Sequence, residues 1–154
     1  MRFGYKNTVR FLLIVLILLT VAFIFIQSLK SPEKSSQASD KVGEIVEEFI
    51  PPDTKPGEFV KLNIRKIAHF VEFALLGIEV SLYVALFARK KIFMLASYPL
   101  GLFIALFDET IQIFSGRGSS VRDVWLDFLG FSTLAALVYA ITFLVAFLRK
   151  DLVK

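Results

Sequence analysis

The sequence predicts an all-α membrane protein: a four-transmembrane-helix bundle forming a single membrane domain over residues 1–154, with a long external loop between helices 1 and 2. Three observations lead there. The 154 residues are 56% hydrophobic, include 17 Phe and average a mean hydropathy of +0.68, too apolar for a soluble domain of this size. Four apolar runs each approach the ~20 residues that a helix needs to cross a bilayer. Within or beside those runs stand His69, Glu72, Asp108, Glu109, Gln112, Arg117, Arg122, Asp123 and Asp127. Ionisable groups at membrane depth are costly unless they face one another or a wet cavity, so they mark a candidate site.

The spans fall at about 11–26, 67–88, 92–114 and 124–148. The first follows a basic head, and Thr20 is its only polar residue. A secretory signal has the same outline, but Gln27-Ser28-Leu29-Lys30 offers no small-x-small cleavage site, so an uncleaved anchor is expected. The connection over residues 27–66 reads mostly as loop, with Pro51-Pro52 and Pro56-Gly57 as breakers. Inside it Val42, Ile45, Val46 and Phe49 recur at helical spacing, with Ser39 or Asp40 as a cap, which predicts a short amphipathic helix lying on the outer membrane surface or covering the end of the bundle. In the third span Pro99 is read as a kink.

Charge sets the orientation. Arg2, Lys6, Arg10, Arg89, Lys90, Lys91, Arg149, Lys150 and Lys154 flank the ends that meet on one side, against Arg117 and Arg122 in the short connection on the other. The positive-inside rule then puts both termini in the cytoplasm of a multi-pass plasma-membrane protein. The net charge of +4 sits at these flanks, which assigns it to lipid headgroups and topology and excludes nucleic acid as a partner. Zero cysteines exclude disulfides, thiolate metal sites and cysteine nucleophiles.

Helical rise brings the polar residues to one level. Counted from the basic flanks at 1.5 Å per residue, His69 and Glu72 lie about 25–30 Å away, Asp108 and Glu109 about 25–27 Å and Asp127 about 33 Å, at the far edge of a hydrocarbon layer ~30 Å thick. The pairs His69/Glu72, Glu109/Gln112 and Asp123/Asp127 are three or four apart, so each shares a helix face. Arg117, in a glycine turn, and Arg122 stand ready to compensate the acids or to grip an anion, and Ser120 is a candidate cap for the next helix. The competing reading is an interfacial salt-bridge clasp that only holds helices together. If the cluster is catalytic, His69, Glu72, Glu109 and Asp127 are the candidate acids and bases. Glu79 lies mid-span on the same face as Glu72, where a bond to a neighbouring hydroxyl or backbone group is expected. A Ser-His-Asp set from Ser115, Ser119 or Ser120 lacks a nucleophile-elbow sequence. With a lone His and no ligand spacing, no metal ligand and no cofactor is assigned, a divalent metal being the minor alternative.

Two motifs resemble the VanZ-like family of membrane proteins, named for a protein of low-level teicoplanin resistance. One is Arg65-Lys66-Ile67-Ala68-His69-Phe70-Val71-Glu72-Phe73 with Leu76-Gly77; the other is Asp108-Glu109-Thr110-Ile111-Gln112-Ile113-Phe114, followed by Gly116-Arg117, Arg122-Asp123 and Asp127 to Gly130. The chain departs from the family pattern at Phe73, often Tyr there, at Ser115, often Pro, and at Phe131, where small residues are usual. The resemblance implies a bacterial plasma-membrane protein working in the cell envelope, in contact with the lipid bilayer. Its outer-facing site would act on an envelope lipid, a wall precursor or an amphiphilic (lipo)glycopeptide antibiotic. The alternatives are a membrane-embedded hydrolase or transferase on a lipid-linked substrate, and a structural or sensing partner of another envelope protein.

Overall fold

A computed structural model describes residues 4–118 and 120–151; Arg2, Lys154 and Ser119 lie outside the described residues. Five helices follow in order: α1 (Tyr5–Ser28), α2 (Pro32–Glu47), α3 (Lys55–Phe87), α4 (Ile92–Phe114) and α5 (Val121–Asp151), with no strand among the described residues. Four of them, α1, α3, α4 and α5, are long and apolar enough to cross a membrane. The bundle is apolar outside: Leu12, Leu19, Phe103 and Phe143 are more than half exposed, as lipid-facing residues are.

The long external loop is the main correction to the sequence reading. Between α1 and the second span stand a 16-residue helix and an early start of α3. The physical reason lies in the prolines. Pro32 sits in the first turn of α2 behind Ser31, whose hydroxyl accepts from the Lys34 amide at 3.5 Å. Pro56 sits in the first turn of α3 behind Thr54, whose hydroxyl accepts from the Gly57 amide at 3.2 Å. First-turn amides have no intrahelical acceptor, so a proline there costs nothing and starts a helix instead of breaking one. Only Pro51-Pro52 separates the two helices as expected. At 33 residues α3 is about 50 Å long and projects well beyond the hydrocarbon layer, and α2 packs against the projection with Lys61 paired to Glu47 at 3.2 Å.

The tightest packing joins α3 to α5. A Cβ on Gly77 would collide with the Phe131 carbonyl, and one on Gly130 with the Phe70 carbonyl, so glycine at both positions is what lets the two backbones touch. Phe131, fully buried, fills the adjoining space beside Gly101 of α4, and Phe73 is equally buried. Two of the three positions that depart from the family pattern, Phe73 and Phe131, are thus buried rings of the core.

Mid-bundle, the one polar residue of the first span finds the one acid of the mid-membrane zone: the Thr20 hydroxyl donates to Glu79 Oε1 at 2.9 Å. At one end of the bundle Arg10 donates to the Tyr83 hydroxyl at 3.2 Å, and a cavity joins the Arg89–Lys91 turn to Thr142 and Phe147 of α5. Arg10 and the Arg89–Lys91 turn therefore share one end. The polar cluster occupies the other.

Candidate functional site

The turn after α4 builds the centre of the site. Gly116 has φ +76°, a left-handed conformation that closes the helix: its amide donates to Ile113 O at 3.2 Å and the next amide, of Arg117, to Gln112 O at 3.0 Å. Arg117 is thereby fixed at the first step out of the helix. Its guanidinium turns inward, 5% exposed, donating to the Gln27 carbonyl at 3.1 Å and facing His69 Nε2 at 3.3 Å. Ser115 Oγ donates to the Ser28 carbonyl at 2.9 Å, a bond that a proline at this position could not make. Both acceptors are last-turn carbonyls of α1, which carry the negative end of the helix dipole; Gln27 O also accepts from the Lys30 amide at 3.3 Å. The first span thus enters the site through its backbone.

The acids gather around this guanidinium. Asp108 (0% exposed), Glu109 (4%) and Asp127 (1%) are buried, while Glu72 is half-buried. Gln112 Nε2 donates to Asp108 Oδ2 at 2.8 Å and to Glu109 Oε1 at 3.0 Å, and Glu109 Oε2 accepts from the Ser120 amide at 3.2 Å. Ser120 caps α5, its hydroxyl accepting from the Asp123 amide at 3.2 Å and lying 3.1 Å from Asp123 Oδ2; Lys66 stands 3.7 Å from Asp123 Oδ1. With Ser115 and Ser120 thus committed elsewhere, neither serves His69 as a nucleophile. Arg117 has only donors, so His69 Nε2 accepts and the ring proton sits on Nδ1, 3.6 Å from Asp108 Oδ2. Burial pulls the Arg117 pKa below its usual value, with Arg65 adding to the shift and Asp108, Glu109 and Glu72 opposing it; the group stays cationic at any working pH.

The nine polar residues expected to converge do so with one exception. Arg122 is exposed, because it precedes Asp123 by one residue and adjacent helix positions do not share a face. The cations that do line the site are Arg117, Arg65, Lys66 and Lys30. The last three lie in the connection read as loop, where Arg65 and Lys66 open the first family-like motif, and Gln27 and Ser28 join through backbone atoms; Lys30 and those backbone atoms had no local pattern to find them by.

Two cavities meet the cluster. One, about 20 Å³, lies among Arg65, Lys66, His69, Glu109, Arg117 and Asp127. The other, about 270 Å³, lies among α1, α2, α3 and Arg117, its lining combining the cations Lys30, Arg65 and Arg117 with the apolar Phe23, Ala38, Val42, Ile64 and Ala68. Larger cavities of about 500 and 790 Å³ lie toward the basic end and contain no carboxylate, so size alone does not locate the chemistry. Among the described residues, His69, Asp108 and Asp127 each offer a ligand atom within 4.8 Å of the other two, a grouping of the kind that can hold a metal ion.

Fold and site together define a multi-pass helical membrane protein with a buried polar site at the end of the bundle opposite its basic flanks. The family model for VanZ/LLP1 matches residues 11–145, and the chain belongs to that family. No curated protein and no solved structure matches it.

Proposed function

We propose that the chain sits in a bacterial plasma membrane with both termini in the cytoplasm and binds, at the outer leaflet, an amphiphile with an anionic headgroup. That is the chemistry of envelope lipids and lipid-linked wall precursors. The supporting observation is the cavity of about 270 Å³ whose lining brings Lys30, Arg65 and Arg117 together with apolar side chains beside His69 and Glu72. Its volume lies just below the range of drug-sized sites, which suits a headgroup and is too small for the body of a glycopeptide antibiotic. An acyl or isoprenoid tail would leave between the helices into lipid. The Arg117 fork suits a phosphate, and the face of α2 bearing Ser35, Ala38, Ser39 and Val42 covers the chamber. Resistance to a lipid-tailed antibiotic would then follow from altered surface lipids.

A second reading, hydrolysis or group transfer on the same bound headgroup, is favoured by His69 and Glu72, which line this chamber with Arg117. Native mass spectrometry of the protein released from nanodiscs tests the binding reading. Phosphatidylglycerol or a polyisoprenyl phosphate should be retained over phosphatidylcholine, and Lys30→Ala/Arg65→Ala should abolish the preference. Equal retention of charged and zwitterionic lipids by the unaltered protein would remove the proposal.

A further inference from the structure

The most unusual group in the molecule is Asp127. It is 1% exposed, and neither carboxylate oxygen has a hydrogen-bond partner among the described residues. A buried carboxylate left unpaired is among the most expensive arrangements a protein can hold. Its buried neighbours at this end of the bundle are mostly acids, Asp108 and Glu109, with Arg117 as the buried cation among the described residues.

We propose that His69, Asp108 and Asp127 form a binding site for one divalent transition cation of the zinc or manganese type. The three residues come from α3, α4 and α5, and a cation among them would give the unpartnered Asp127 carboxylate a partner. His69 Nδ1 and Asp108 Oδ2 are 3.6 Å apart, too far for a hydrogen bond. Two ligands each about 2.1 Å from a shared tetrahedral ion stand roughly 3.4 Å apart, close to that spacing. Asp127 and His69 also line the cavity of about 20 Å³, enough for one ion or one water but not for a larger ligand. Gln112, bonded to Asp108 Oδ2, is the outer-shell group that would orient this ligand. Imidazole with two carboxylates is a borderline donor set, which favours zinc or manganese over calcium. Three protein ligands leave a coordination position open.

Ion binding and Arg117 are linked through the imidazole. Ligation through Nδ1 moves the ring proton to Nε2, where it meets a guanidinium with no lone pair to accept it. Arg117 then loses one partner and becomes free to address an anion in the neighbouring chamber. The metal site itself does not depend on the lipid reading.

The test uses the full chain in detergent without a polyhistidine tag and without added lipid ligand. After zinc or manganese loading and desalting, elemental analysis should give one ion per chain. Asp127→Asn and His69→Gln should lose it, and Gln112→Leu should weaken it about 10- to 100-fold. Because His69 is the only histidine, the unaltered protein gives an independent readout: the single ¹⁵N-labelled imidazole should show a zinc-induced change at Nδ1. Background metal content in the unaltered chain, full retention by a folded Asp127→Asn protein, or an imidazole unmoved by saturating zinc would each overturn the site. Were the site overturned in one of these ways, lipid selectivity in metal-free protein would still leave the binding reading standing.

Discussion

At the scale of single residues, the cluster behaves as a set of partners committed to one another around Arg117, with Asp127 left unpartnered. Arg117 spends its donors on a carbonyl of α1 and on His69, so its value lies in its planar fork as much as in its charge. Arg117→Lys keeps the charge but cannot span both acceptors. It should lower the unfolding free energy by about 2 kcal/mol, the worth of a hydrogen bond to a charged group. A denaturant titration in mixed micelles reads this; an unchanged midpoint would mean that charge alone matters. Thr20 and Glu79 make a separate case, since their bond lies mid-bundle away from both cavities of the site. Thr20→Val should cost about 1 kcal/mol, typical of an interhelical hydrogen bond in a membrane, and leave lipid selectivity untouched. Glu79→Gln retains an acceptor and should be closer to neutral. An equal loss in both variants would argue that the Glu79 carboxyl has a role beyond this bond.

At the scale of elements, the position of the site follows from two glycines. Gly77 and Gly130 bring α3 against α5, and that contact carries His69 and Glu72 to within reach of Asp123 and Asp127. Gly77→Val places a side chain against the Phe131 backbone, which cannot swing aside, and should destabilise by about 1–3 kcal/mol or more. It should also weaken headgroup binding without touching a binding residue. Gly43→Ala on α2 meets nothing within 4 Å and should stabilise by up to ~1 kcal/mol through helix propensity. Thermal unfolding of the two variants must shift in opposite directions. The sequence was readable where side chains repeat: period and depth placed His69, Glu72, Asp108, Gln112 and Asp127 on facing surfaces, and the third span agrees residue for residue with α4. It was unreadable where the backbone acts. The α1 carbonyls that hold Arg117 and Ser115 leave no side-chain signal, and the three candidate metal ligands come from three helices with no local spacing. The start of α2 was missed because Ser31-Pro32 reads equally as loop and as a helix cap followed by its first residue.

At the scale of the whole molecule, the distribution of charge and the position of the site make one claim. Arg10 and the Arg89–Lys91 turn meet at one end of the bundle, with the polar site, α2 and the projecting turns of α3 at the other. If basic flanks stay in the cytoplasm, the site faces outward, beneath the outer headgroups and under the cover of α2. Ile45, Phe49, Phe59 and Leu62 are all at least 60% exposed on this cap, as suits contact with the headgroup layer of the same leaflet. The absence of cysteine makes the orientation directly measurable. Single cysteines replacing Ser36 on α2, Arg122 at the start of α5 and Lys90 in the opposite turn all occupy exposed positions. In intact cells an impermeant maleimide should label the first two and spare the third until the membrane is opened. The reverse pattern would put Lys30, Arg65 and Arg117 at the cytoplasmic leaflet, where an anionic headgroup could still bind, but the link to outer-surface envelope chemistry would be lost.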